Sequence, residues 1–160
     1  MSKVFVVGNG PSLKQTPLDL LAGQKTYAVN AIHLAYEWTS WRPDTLIWTD
    51  YVGHKNDEAL LEIQAQQADT IARCFFRYDY AFNIEPRRKK TMPFVHYIKP
   101  CFEHVNCDID NPRRPEAWHF PEICRYGGAV AVAMQIAVLE GHDRLVLLGC
   151  DLGHTAPIEG

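Results

Sequence analysis

Nowhere does this sequence run apolar for the ~20 residues that a membrane span needs. Its earliest apolar stretch, Val4 to Val7, is cut by Gly8 and Asn9 and is too short for the apolar segment of a signal peptide. The chain therefore reads as cytoplasmic. It also lacks an excess of positive charge: 16 Lys and Arg stand against 19 Asp and Glu, a formal charge of −3. A surface that grips nucleic-acid phosphates carries a strongly basic face, so nucleic acid is not an expected partner. The one basic cluster, Arg87-Arg88-Lys89-Lys90, reads as a solvated loop. Paired cysteines are missing as well. The five present (Cys74, Cys101, Cys107, Cys124, Cys150) are odd in number and scattered, which argues against a disulfide framework. In "HYIKPCFEHVNC" His96, Cys101, His104 and Cys107 lie close together, with His119 and Cys124 further on. None of the paired spacings of a structural zinc site occurs there, and no metal is assigned. Internal repeats and low-complexity tracts are absent.

Against these absences stands a hydrophobic content of 47%, enough to bury one ordinary core, so a single domain over residues 1–160 is expected. Short apolar runs alternate with helical patterns. Val4–Val7, Lys25–Asn30 and Thr45–Asp50 read as strands, with "AIHLAYEW" as a short helix after the second. Lys55 to Arg73 carries Leu60, Leu61, Ile63 and Ile71 among polar neighbours and reads as an amphipathic helix. From Phe75 to about residue 123 the chain is aromatic, proline-bearing and irregular, an insert with one strand at "FVHYI". A small-residue helix then follows Gly127-Gly128, ends at Gly141 and leads into a strand over Arg144–Leu148. Such alternation predicts an α/β, Rossmann-like three-layer fold: a mostly parallel sheet with helices on both faces. The ending in "GHTAPIEG", just past a core strand, is consistent with a C-terminally truncated fold.

In such a sheet ligands bind outside the carboxyl ends of the strands, where strand order reverses. Gly8–Ser12, Asn30, Asp50 and Asp151 each fall just after an expected strand, so their side chains should converge on one edge. In the first loop, Gly8 and Gly10 let the backbone turn and approach a ligand, Pro11 suits the opening of a helix, and free N–H groups with the Ser12 hydroxyl could hold an anion. A tight turn explains the same residues. The loop is not a phosphate loop of the Gly-Lys-Ser/Thr type, and Leu13 stands where a dinucleotide fingerprint has its third glycine. Asn30, rather than an acidic residue, ends the second strand, which sets NAD enzymes aside.

"VVGNGPSLK", the asparagine-ended second strand and the later "YGG" and "LLGCDLG" together resemble the bacterial sialyltransferases that use CMP-sialic acid. They also resemble a related group that includes motility-associated flagellin glycosyltransferases and archaeal hydroxymethylpterin diphosphokinases, towards which the "LLGCDLG" segment leans. The resemblance covers both ends of the chain and is weak from Tyr51 to Ile123. It implies that Gly8, Asn9, Gly10, Pro11 and Ser12 cradle the nucleotide phosphate, and that Asn30 and Asp50 contact nucleotide or sugar. It further implies that Tyr126, Gly127 and Gly128 close over the phosphate or donor carboxylate, and that Gly149 to Leu152, with Asp151, border base and ribose. Asp50 stands where sialyltransferases have asparagine, Leu152-Gly153 where they place a tyrosine.

The implied reaction is transfer of a sugar from a CMP-sugar donor. A base takes a proton from an acceptor hydroxyl while the nucleoside monophosphate leaves, its charge met by the loop amides. Asp50 and His154 are the catalytic candidates, although the position of His154 does not match the sialyltransferase histidine. No cofactor is required on this reading. A diphosphokinase would instead need Mg²⁺ held by carboxylates, and a remnant that only binds nucleotides is the third alternative. The expected ligand is a nucleotide or nucleotide sugar, a homo-oligomer is left open, and Gly10→Val is expected to abolish binding without unfolding the chain.

Overall fold

Strand residues of this chain alternate between two faces with a period of two, and each face has found its own cover. Val4 and Val6 of β1 (Lys3–Val7), Tyr27 and Val29 of β2 (Thr26–Val29), Ile47 of β3 (Thr45–Trp48) and Phe75 of β4 (Arg73–Arg77) point one way. They pack beneath α3 (Gly128–Leu139), which contributes Ala129, Val132, Ala133, Ile136 and Ala137. Val7, Ala28, Leu46, Trp48, Cys74 and Phe76 point the other way, under α1 (Glu58–Thr70), the short α2 (Ala81–Ile84) and a series of 3-10 segments. Phe76 is fully buried, a gain of about 1.5–3 kcal/mol over leaving such a side chain in water. The computed structural model describes residues 2–49, 58–78, 81–88, 95–101, 122–124 and 128–151.

With β5 (Val95–Cys101), β6 (Glu122–Cys124) and β7 (Arg144–Leu148), the sheet has seven strands in the order β6-β5-β4-β3-β2-β1-β7. Every neighbouring pair is parallel. The expected Rossmann-like architecture with helices on both faces is therefore present. Successive strands step outward on one side of β1, and the chain then crosses to lay β7 on the other side. Its order thus reverses between β1 and β7. Along that seam Val4 pairs with Leu145 and Val7 with Leu148.

Three expectations change. The long helix stops at Thr70 rather than Arg73, because the Cys74-Phe75-Phe76 run is apolar on both sides and is drawn into the sheet as β4. The segment expected to be an irregular insert also supplies most of β4, while the one strand expected in it, at "FVHYI", forms as β5, both inside the sheet. The helix after β2 forms as a 3-10 helix over Asn30–Glu37, with non-helical dihedrals at Ala31. The end of α3 matches its expectation: Gly141, at φ 83°, closes it with bonds from its own N–H to Val138 O (2.9 Å) and from His142 N–H to Ala137 O (3.0 Å). That pair of bonds is the Schellman arrangement of a glycine-ended helix. No helix among the described residues is long and apolar enough to cross a membrane.

Candidate functional site

Where β1 and β7 end, the two chains continue to bond past the sheet. Gly8 N–H donates to Leu148 O (2.8 Å), Gly10 N–H to Gly149 O (2.7 Å), and Ser12 N–H to the Asp151 carboxylate (2.8 Å). The glycines are required by this embrace. A Cβ on Gly10 would lie 2.7 Å from Asp151 Cγ and 2.8 Å from Gly149 O. One on Gly8 would lie 3.1 Å from Cys150 Sγ and closer still to Gly149 O. The close approach they permit is thus to the chain's own β7 turn. This corrects the expectation for Gly10→Val, since a neighbour that must yield is backbone and folding suffers along with any binding.

The carboxylate of Asp151 occupies the place expected for a ligand's anion. Its bond from the Ser12 amide holds the carboxyl below the usual aspartate range. Pro11–Gln15 forms a single 3-10 segment behind the loop, anchored by the buried Leu13.

The two asparagines brace neighbouring strands. Asn9 Nδ2 donates to Val29 O at the end of β2 (2.9 Å), and Asn30 Oδ1 accepts from Thr49 N–H just past β3 (3.2 Å). Asn30 does so from a left-handed backbone (φ 45°), a conformation that asparagine tolerates better than most residues. Gly8, Asn9, Gly10, Pro11, Ser12, Gly149 and Asp151 are therefore gathered at the strand-order reversal, and Asn30 joins them through the Asn9–Val29 bond. Gly128 opens α3, with positive φ and an exposed position. Asp50, Tyr126, Gly127 and His154 lie outside the described residues.

Beside the loop runs a cleft of about 330 Å³ between Asn9–Lys14 and the helix that follows β2. Leu34 and Trp38 form much of its far wall and are 56% and 44% exposed, while Lys14 and Glu37 bring opposite charges to it. Sequence reasoning missed these four. The only signal was Leu34 and Trp38 at i, i+4 spacing on a short helix, which reads as ordinary core packing.

A second unforeseen group lies around the end of β3. The His33 ring stacks on Trp48 with centroids 5.9 Å apart, and His33 Nδ1 lies 3.4 Å from Gln67 Nε2. Burial lowers the His33 pKa. Gln64, one turn from Gln67 on α1, is fully buried, and among the described residues neither end of its amide has a partner; nor does Trp48 Nε1. Cys150 rests with Sγ 3.3 Å from Leu148 O, and burial pushes its thiol pKa up. Among the described residues, no three His, Cys, Asp or Glu side chains come together as metal ligands.

The geometry thus defines a Rossmann-like α/β domain with paired loops at its strand-order reversal and an open cleft alongside. Comparisons with protein-family models, curated proteins and solved structures give no match.

Proposed function

We propose that this chain is the nucleotide-binding domain of a sialyltransferase-like glycosyltransferase that takes a CMP-sugar as donor. One observation carries the reading. The order of an all-parallel sheet reverses between β1 and β7, and the Gly8–Ser12 and Gly149–Asp151 loops meet there beside a cleft of about 330 Å³. Crevices at such points are where open α/β sheets hold nucleotides, and clefts of roughly 300–1,000 Å³ suit small ligands. On this reading Asp151 accepts hydrogen bonds from ribose hydroxyls, Asn9 and Asn30 keep the strand ends in register, and Asp50 supplies the base for the acceptor hydroxyl. The leaving monophosphate needs no cofactor.

Asp151 favours a second reading. A bare phosphate beside this exposed carboxylate is repelled by it, although solvent screens the repulsion. A cation between them reverses its sign. That is the situation of a Mg²⁺–nucleotide in a pterin diphosphokinase-like enzyme. Calorimetric titration with CMP, CDP, ATP and NAD, each with and without Mg²⁺, separates the two. The first reading expects cytidine nucleotides to bind best, indifferent to Mg²⁺. Tight ATP binding that needs Mg²⁺, with no CMP binding, replaces it by the second.

A further inference from the structure

The cleft beside the loop has features that the reaction above does not use. Trp38 and Leu34 are large apolar side chains left open to solvent on one wall, facing the Asn9–Lys14 wall across about 330 Å³. Exposed apolar surface gathered in a concavity marks a place of binding more than scattered exposure does. Size selects the kind of occupant. At about 330 Å³ the cleft lies at the small end of the roughly 300–1,000 Å³ range of small-ligand sites, and a flat ring suits that size.

Charge narrows it further. Lys14 and Glu37 both line the cleft, and among the described residues neither is engaged in a hydrogen bond or ion pair. A carboxylate only accepts hydrogen bonds, so Glu37 suits a ring that carries an amino group. An exposed indole face suits stacking.

We propose that this cleft is a subsite for a planar, amino-bearing heteroaromatic ring stacked on Trp38, with its amino group donating to Glu37. The inference rests on the nucleotide reading, which makes that ring the nucleobase. Gly10 connects the two places: it lines the cleft, and its α-carbon lies against the Asp151 carboxylate. The Asp151 carboxylate packs where a side chain on Gly10 would be, so the ring subsite and Asp151 lie on either side of one residue.

The test uses the whole chain and titrates cytidine, adenosine, uridine and CMP by calorimetry and tryptophan fluorescence into wild type, Trp38→Ala, Trp38→Phe and Glu37→Gln. Stacking on an aromatic side chain predicts that Trp38→Ala weakens cytidine, adenosine and CMP between about 5- and about 150-fold. Trp38→Phe should stay close to wild type, and Glu37→Gln should erase any preference for cytidine over uridine. Trp38 is exposed enough that circular dichroism should show all variants folded. CMP binding unchanged in Trp38→Ala overturns the ring subsite and leaves the nucleotide reading standing. Trp38-dependent binding of nucleosides with no gain from the phosphate of CMP does the reverse. No binding of any of the four removes both.

Discussion

The two ends of the sheet are built on opposite plans. At the amino-terminal end, Glu140, just past α3, receives Arg73 through two nitrogens (2.7 and 2.8 Å) and also the Tyr27 hydroxyl. Arg73 reaches Thr45 Oγ1 (3.1 Å) and Tyr27 Oη (3.0 Å) as well, and His142 Nδ1 lies 2.7 Å from Ser2 Oγ. Burial first, and then the Glu140 carboxylate, raise the Tyr27 pKa. Charge and hydrogen-bonding capacity are matched there, and the network bolts the end of α3 to the starts of β2, β3 and β4. Around the carboxyl ends the account is left open: an open cleft with an exposed indole and, among the described residues, two uncommitted charges and a buried amide on α1 without partners. Polar groups that folding leaves unsatisfied are what a ligand can satisfy. The contrast separates the residues that hold the fold from those available for chemistry.

The largest effect should come from breaking the closed end. Glu140→Ala strands Arg73 and Tyr27 together. The pair is partly open, with side chains 25% and 21% exposed, so its loss falls between that of a surface pair and a buried one, about 3 kcal/mol. Urea denaturation measures it, and nucleotide affinity should not move. A loss under about 0.5 kcal/mol makes this end no better fastened than an ordinary surface.

Next comes the seam between β1 and β7. Gly8→Ala places a methyl group against Gly149 O and within 3.1 Å of Cys150 Sγ, and overpacking of this kind costs typically 1–3 kcal/mol. Gly10→Val should lose stability by a similar amount. If denaturation of either variant matches wild type, the loops are not packed as described and the seam belongs with the open end.

These glycines show where the sequence was legible and where it was not. Strands β1, β2, β3 and β7 could be read because each is a short run, mostly apolar, with a glycine or a polar residue at its end, and Arg144–Leu148 coincides with its expected bounds. β4 was hidden because Arg73 and Cys74 join smoothly onto a helical pattern. Only the parallel partners on both sides, Thr45↔Arg73 and Cys74↔Val95, pull them into the sheet. The gathering of Gly8–Ser12 with Gly149 and Asp151 followed from placing each after a strand. What no spacing could reveal was the reason for the glycines, because Gly10 and Asp151 meet across nearly the whole length of the chain. The cleft was equally invisible, since Trp38 on a short helix has the same pattern whether it faces core or solvent.

A smaller effect, of opposite sign, is expected on α1. Gln64 is fully buried, with both ends of its amide unpaired among the described residues, and an unsatisfied buried polar group costs about 1–3 kcal/mol. Gln64→Leu keeps most of the volume and removes the polar atoms, so the variant should gain about 1 kcal/mol in chemical denaturation. A loss instead means that the amide is met by bound water, and the open end is then better satisfied than its protein contacts indicate.

The smallest and most informative change is Asp151→Asn. Asparagine keeps an acceptor for the Ser12 amide but removes the charge. The carboxyl is held below its ordinary range in the folded chain, so its contribution to stability is present above the unfolded aspartate range near pH 4 and is lost as pH falls through the lowered folded value. The stability gap between wild type and variant should therefore be constant near neutrality and close in acid, and a pH series of thermal melts reads it. The effect is small, because the group is exposed. Binding is the sharper measurement. Without Mg²⁺, removing a negative charge beside the ligand's phosphate should tighten CMP by up to about 5-fold. If Mg²⁺-dependent ATP binding weakens instead, Asp151 has been holding a cation, and the carboxyl end of this sheet is built for a metal-bridged diphosphate.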